Sequence, residues 1–497
     1  MDQMAREVKP PLSREHPMLL RNKSVTNQDL RTALLGSVFL AGSLIATSSV
    51  ALADDSLTWN GITLYGTIDV GVAYQTHGAG LDNYFYPGLD YVISAASNKS
   101  QFTVAPNGLS QSKIGVKGSE ALTDEFSGIF KLEAAFEPQS GQLADSSKSL
   151  VEQNGLTAAQ QTTSSADGSR NGQAFSGAAY VGIDSKHFGT LTYGRQNSVL
   201  LDDINAYDPM GGSYAFSVIG FSGTTAGAGD TQDTRLDNSL KYALKFGPVH
   251  GSVIYQFQAP EDLSNGGYEF GLGAEEMGFS VDGVYSHIND AVKLASLSAA
   301  QYGTYPTPST ATCIANNKAA GCTGGYLPPN SLAATISDDS AYTINAKYTY
   351  GPAKIFGGYE HITYANPSHL LTAPFTNLGG YLISALTQNK YNINEKLDVY
   401  WGGLKYSILP DVDLTGAYYH YSNNDFNTSA CTGSGITTSS SKCSGTLDAY
   451  SFMVDYRATK RFDIYGGFMY STVAGGQASG FMYTNTIDPM IGARFSF

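Results

Sequence analysis

Three features of the sequence predict an all-β fold, a transmembrane antiparallel β-barrel of about sixteen strands. The first is rhythm: stretches of about ten residues alternate apolar with polar side chains, as strands standing between lipid and water must. The second is punctuation, because these stretches are joined in turn by very short turns and by long polar segments. The third is the C-terminal segment, where Ile491, Ala493, Phe495 and Phe497 fall on one face and Met490, Gly492, Arg494 and Ser496 on the other. An edge strand of a soluble sandwich would share that last pattern, so the strand count has to separate the two.

The elements follow in chain order. A leader containing Arg14, Arg21, Lys23 and Arg31 precedes an apolar run from Leu34 to Ala46 and the triplet Ala51-Leu52-Ala53. Basic stretch, short apolar stretch and A-x-A site together predict a secretory signal peptide over residues 1–53, with 54–497 as one barrel domain. The leader is long, and Met18 is an alternative start. Outside that run no apolar segment approaches the roughly 18 to 20 residues that a spanning helix needs. A mean hydropathy of −0.16 is compatible with a barrel wall, in which every second side chain is polar.

Strands are predicted at 61–76, 109–118, 125–138, 173–184, 187–198, 236–246, 249–258, 267–274, 277–288, 340–349, 352–364, 392–406, 411–422, 446–457, 461–472 and 487–497. An even number allows closure, and closure is required because unpaired backbone groups are costly in hydrocarbon. Tight turns such as Phe246-Gly247-Pro248 and Tyr350-Gly351-Pro352 follow even strands, on the periplasmic side. The long segments 77–108, 139–172, 199–235 and 289–338 follow odd strands, on the outer side. About sixteen tilted strands enclose a space too wide for side chains to fill, which predicts a water-filled channel.

Composition removes other classes. The net charge is −14 with 14% charged residues and no basic cluster, which excludes nucleic acid as a partner. Cys313 and Cys322, and Cys431 and Cys443, form two local pairs in Gly, Ser and Thr-rich loops, read as disulfide staples; pairing between the loops remains an alternative. Zinc is disfavoured by the spacing, and no metal or cofactor is expected. The histidines lack ligand spacing and there is no GxSxG elbow, so no enzyme is predicted. His420 and Ser422 share a face, as a lipid-hydrolysing pair would, but a strand-end histidine in an aromatic girdle is the preferred reading. A secreted all-β binding protein or polysaccharide hydrolase, and a substrate-specific channel of eighteen strands, are the competing classes.

GITLYGTIDVGVAYQ (61–75), SKIGVKGSEAL (112–122), AAYVGIDSKHFGTLTYGRQ (178–196), DTRLDNSLKY (233–242) and the final IGARFSF occur in order over nearly the whole mature chain. Together they resemble the general diffusion porins of Gram-negative bacteria, of the trimeric proteobacterial type. The resemblance implies an outer-membrane homotrimer passing ions and small hydrophilic solutes, in contact with membrane lipid and lipopolysaccharide. It also implies that Phe497, with Phe495 before it, is the label read by the barrel assembly machinery. The third long loop, 199–235, would fold inward, with Asp202, Asp203 and Asp208 ahead of Pro209-Met210-Gly211-Gly212 facing the pore at its narrowest level. Opposite them the family sets an arginine ladder, which maps onto Lys113, Gly177 and Arg235. A glycine at 177 and a lysine at 113 weaken that ladder, so weak selectivity is expected, tilted towards cations by acidic loops. Lys113 and Arg235 could instead pair with Glu133 or Asp237, and the aspartates could be ordinary solvated loop charges. Strand parity also sets Arg195 towards a subunit interface, where a buried arginine needs a carboxylate.

Overall fold

The computed structural model describes residues 57–78, 99–136, 138, 141, 174–220, 235–257, 266–296, 332–368, 385–388, 390–431, 440–478 and 483–497. The expected signal peptide and the Cys313 and Cys322 pair lie outside the described residues. Ser56–Phe497 form one compact unit.

The strands are β1 (Ile62–Gly78), β2 in two pieces (Lys99–Pro106 and Lys113–Ala121), β3 (Phe126–Ala135), β4 (Ala178–Ser185) and β5 (Gly189–Asn197). A helix, α1 (Val199–Tyr207), precedes β6 (Arg235–Phe246), β7 (Val249–Gln256), β8 (Gly267–Glu276), β9 (Phe279–Ser296) and β10 (Leu332–Tyr350). The ring is completed by β11 (Ala353–Ala365), β12 (Glu395–Leu409), β13 (Val412–Asn423), β14 (Gly445–Arg457), β15 (Phe462–Gly475) and β16 (Asn485–Ser496). Two short strands, Leu57–Trp59 and Ala385–Gln388, pair onto β1 and β10 outside the ring. Neighbours in the chain pair antiparallel throughout, and β16 returns to β1 with Ser496 opposite Thr67 and Met490 opposite Ala73. The barrel therefore closes at sixteen strands, not eighteen.

Alternation sets the two faces. In β16, Ile487, Ile491 and Phe495 are exposed outward while Thr486, Asp488 and Met490 are buried on the inner side. The short turns carry the backbone that two-residue hairpins demand. Met277 and Gly278, with φ of 52° and 81°, supply the two positive values of a type I′ turn between β8 and β9. Gly247 and Gly351, with φ of 58° and 55°, each precede a proline whose ring forbids positive φ, which is the II′ arrangement.

The structure corrects several boundaries, among them the start of the fourth strand, which lies at Ala178 and not at 173. Residues 99–106, expected in a loop, extend the second strand, and 109–112, expected as strand, form a bend. The segment 289–338 begins and ends as strand, since β9 runs on to Ser296 and β10 starts at Leu332. The third long loop opens with α1, where strand counting predicts loop. Ser198 caps that helix by accepting the Leu201 N–H at 2.9 Å, and apolar residues at 200, 201, 204 and 207 give it one buried face.

Candidate functional site

The loop that starts with α1 does not stand above the rim; it is latched across the lumen. Its first two free N–H groups, on Val199 and Leu200, donate to Glu269 Oε2 on β8 at 2.5 and 3.0 Å. A carboxylate there meets both the unsatisfied amides and the positive end of the helix. Ser286 on β9 holds the other oxygen of Glu269 at 3.0 Å. Further along, Lys347 on β10 donates to the Ala206 carbonyl at 3.1 Å and lies 4.4 Å from the Tyr207 ring centre. Trp401 on β12 donates to the Tyr207 carbonyl at 3.1 Å, and Tyr421 on β13 donates to Val218 O at 3.1 Å.

The far end returns to the opposite wall. Ser213 Oγ and the Ala215 N–H donate to the Gly108 carbonyl at 2.7 and 3.0 Å. Gly108 is available because β2 is broken there. Asp69 on β1 creates the break: its carboxylate accepts the Leu109 and Ser110 N–H groups at 2.8 and 2.9 Å, and Ser112 N–H donates to Asn107 Oδ1 at 2.6 Å. Asn107 takes φ of 62°, a conformation asparagine tolerates better than most residues.

Between this loop and the wall lies a cavity lined by Lys113, Glu133, Gly177 and Arg235 on the wall side and by Asn205 and Tyr214 among the loop residues. Lys113, Gly177 and Arg235 are thus brought together although far apart in sequence. Glu133 on β3 sits among them, only 5% exposed, 3.4 Å from Lys113 Nζ and 3.3 Å from Lys131 Nζ. It also accepts the Tyr65 hydroxyl at 2.8 Å. A Cβ on Gly177 would lie 2.4 Å from Glu133 Oε1. The missing side chain at 177 is what leaves room for this carboxylate beside the basic groups.

The loop aspartates separate into two roles. Asp202 is 51% exposed and pairs with Lys241 on β6 at 2.6 Å. Asp203 and Asp208, expected to face the pore, are instead buried at 5% and 2% exposure. Asp203 accepts Thr343 Oγ1 and Asn345 Nδ2 of β10 at 2.8 and 2.6 Å, while its Oδ1 is buried without a hydrogen-bond partner among the described residues. Burial pushes its carboxyl up to about 7, against the opposing hydrogen bond from Thr343. Asp208 accepts the Tyr419 hydroxyl at 2.6 Å and the Gly212 N–H at 2.8 Å, and burial raises it as well. Short, buried carboxylates that bind backbone and wall groups are anchors, and sequence parity cannot tell such an anchor from a pore-facing charge.

Arg195 finds its carboxylate inside its own chain. Nη1 meets Asp237 Oδ1 at 2.7 Å, and the guanidinium donates to the Ser176 and Arg235 carbonyls at 2.7 and 3.2 Å. It therefore positions the backbone just before Gly177 and at Arg235. Among the other sequence-predicted residues, Cys431 and Cys443 are disulfide-bonded with Cα atoms 5.8 Å apart. Phe497 exchanges two backbone hydrogen bonds with Gly66 of β1, both 3.0 Å, and Phe495 lies 6.2 Å from its ring. Sequence reasoning named Glu133 only as a possible ion-pair partner and missed its place beside the inward loop, as it missed Glu269; the signal for the first was its inward parity two residues after Lys131.

A closed barrel narrowed by an inward loop after its fifth strand defines the class of constricted transmembrane barrels. The chain belongs to the Gram-negative porin family, whose sequence profile matches residues 40–476. Family and fold place it in the outer membrane of a Gram-negative bacterium. An outer membrane porin protein of Bordetella pertussis is 24% identical over 252 residues, 49% of this chain and 48% of that protein, so the match spans about half of that relative. Outer membrane porin protein 32 of Delftia acidovorans is 22% identical over 63% of this chain and 68% of its own length. Among solved structures, the anion-selective porin from Comamonas acidovorans superposes with a TM-score of 0.55 at 15% identity, over 88% of this chain and 99% of that one. OmpT of Vibrio cholerae, an outer membrane protein, gives a TM-score of 0.51 at 14% identity over 89% and 100%. At these identities the likeness to the solved structures is one of fold.

Proposed function

We propose that the chain, exported by a signal peptide over 1–53 and folded as one barrel over 54–497, forms a water-filled channel for passive diffusion of ions and small hydrophilic solutes, and is not an enzyme. The observation that carries this reading is the loop latched across the lumen, with a cavity between it and the wall lined by Lys113, Arg235 and Glu133. Its assembly is read as a homotrimer, its wall as contacting lipopolysaccharide, and its C-terminal Phe497 as the mark recognised by the barrel assembly machinery.

Selectivity is weak and favours anions. Two cationic side chains and one carboxylate edge the cavity, whereas two of the three loop aspartates are turned into loop anchors. That reverses the tilt expected from acidic loops. In a narrow, low-dielectric passage the nearest fixed charges outweigh distant loop charges, which salt screens beyond about 8 Å. The relative described as an anion-selective porin is in keeping with this sign.

The test is conductance of the detergent-purified, unheated protein in a planar bilayer, with the reversal potential read across a salt gradient. Steps that close in thirds with a small anion-directed reversal potential are the expected result. Correctly inserted protein without channel activity would overturn the diffusion reading.

A further inference from the structure

On the outside of the barrel, β11 to β14 carry a repeated polar unit where a lipid-facing wall is ordinarily apolar. Exposed Tyr400, Leu404, Tyr418, Tyr450 and Phe452 define the outward positions. By alternation Lys396, Asp398, His420, Ser422 and Asp448 share that face. Asp398 accepts the Tyr359 hydroxyl and meets His361 Nδ1, both at 2.7 Å. One strand pair further on, Asp448 accepts the Tyr418 hydroxyl at 2.6 Å and meets His420 Nδ1 at 2.8 Å. The same Tyr-x-His and Asp arrangement is therefore built twice.

We propose that this face docks the phosphate end of a phosphorylated glycolipid of the outer leaflet, with Lys396, His420 and Ser422 as the groups that hold it. Register brings these residues together: Asp398 lies opposite Ser422, and Tyr400 opposite His420, on adjoining strands. Lys396 is two residues from Asp398, on the same face and nearer the rim. Lys396 Nζ, Ser422 Oγ and His420 Nε2 make no hydrogen bond or ion pair among the described residues. The Asp448 carboxylate at Nδ1 fixes the ring and leaves Nε2 for a ligand.

The occupant follows from the order of chemistry along the strands. Nearest the loops stand an ammonium and a hydroxyl; below them come tyrosine rings in contact, Tyr359 with Tyr400 at 4.9 Å and Tyr418 with Tyr450 at 5.0 Å. Deeper still are the apolar Ile355, Leu404, Phe452 and Phe468, all exposed. Phosphate, sugar and acyl chain follow one another in the same order in a phosphoglycolipid, and flat tyrosine rings suit the sugar. Charge-assisted hydrogen bonds to phosphate are the strong ones at such an interface.

This inference rests on the reading that the loop ends of the strands face the outside and that the wall contacts glycolipid. The test is native mass spectrometry of the delipidated, detergent-purified assembly titrated with bisphosphorylated lipid A, its monophosphorylated form and phosphatidylglycerol. Bisphosphorylated lipid A is expected to bind best, and a Lys396→Ala, Ser422→Ala double variant to lose about tenfold in affinity. Lys396→Arg should retain binding, and conductance should be unchanged in all variants, which also reports that they are folded. Undiminished binding of lipid A to the double variant, or equal binding of phosphatidylglycerol, would overturn the site while leaving the glycolipid contact standing. No lipid A binding by the parent protein would overturn both, and a changed subunit number in the double variant would assign the face to a second copy of the chain.

Discussion

On the proposed channel reading, Glu133 sets part of the charge a solute meets beside the inward loop. It is the only carboxylate among the residues edging that cavity, and it sits within 3.4 Å of Lys113 and Lys131. Replacing it with Gln removes one negative charge without a change of shape. At roughly 7 Å in water a unit charge is worth about 0.6 kcal/mol, about threefold for each ion sign. Glu133→Gln is therefore expected to raise the anion-to-cation permeability ratio severalfold in reversal-potential measurements, and an unchanged ratio would remove Glu133 from the ion path. Asp203 gives the pH dependence. Its carboxyl is raised to about 7 in the docked loop, above the ordinary value of about 3.9. The docked form thus holds the proton more tightly than the released form, so docking is firmest below pH of about 4 and weakens as pH rises through about 7. Single-channel current should be noisier at pH 8 than at pH 5, and Asp203→Asn should remove that difference.

At the scale of the element, α1 is a strut whose position depends on one wall carboxylate. Glu269 joins the helix N-terminus to β8 and β9, and leaving two buried amides unmet costs about 1 to 3 kcal/mol each. Glu269→Ala is expected to free the start of the loop and give larger, flickering conductance steps with the barrel still folded. Steady steps of the parent size would show that Trp401, Tyr419 and the Gly108 shelf suffice. The helix itself was legible in part: Ser198 followed by Val199, Leu200 and Leu201, with Ile204 and Tyr207 one turn on, is a capped amphipathic start. Strand rhythm on both sides hid it. The break in β2 was not legible, because it is imposed by Asp69 on the neighbouring strand and not by the residues that bend.

At the scale of the molecule, closure is made at the chain end. Phe497 exchanges two backbone hydrogen bonds with Gly66, and its ring occupies the space a side chain at 66 would take, 2.4 Å from the position of a Cβ. Two such bonds contribute about 1 kcal/mol each, little for a barrel held by sixteen ladders. Deleting Phe497 is therefore expected to leave refolding in detergent nearly intact while lowering the amount assembled in the outer membrane severalfold. Equal accumulation in cells would show that the terminal aromatic serves closure alone. The Cys431–Cys443 bond, spanning 12 residues, ties down one loop and lies outside the ladders, so its effect is local to that loop.

The sequence by itself determined the barrel, the strand order and which side chains face lipid. These depend on a period of two and on turn chemistry, both written in neighbouring residues. It also brought Lys113, Gly177 and Arg235 into one group, through a resemblance carried by motifs around each. Only the tertiary structure decided which charges count. Asp203 and Asp208 have the composition of a pore lip, yet they are buried because Thr343, Asn345 and Tyr419 come from strands far along the chain. Glu133 reads as one more lumen charge until Gly177, about forty residues away, leaves space beside it. A charge's role is set by what the fold packs against it, and long-range packing has no local period to read.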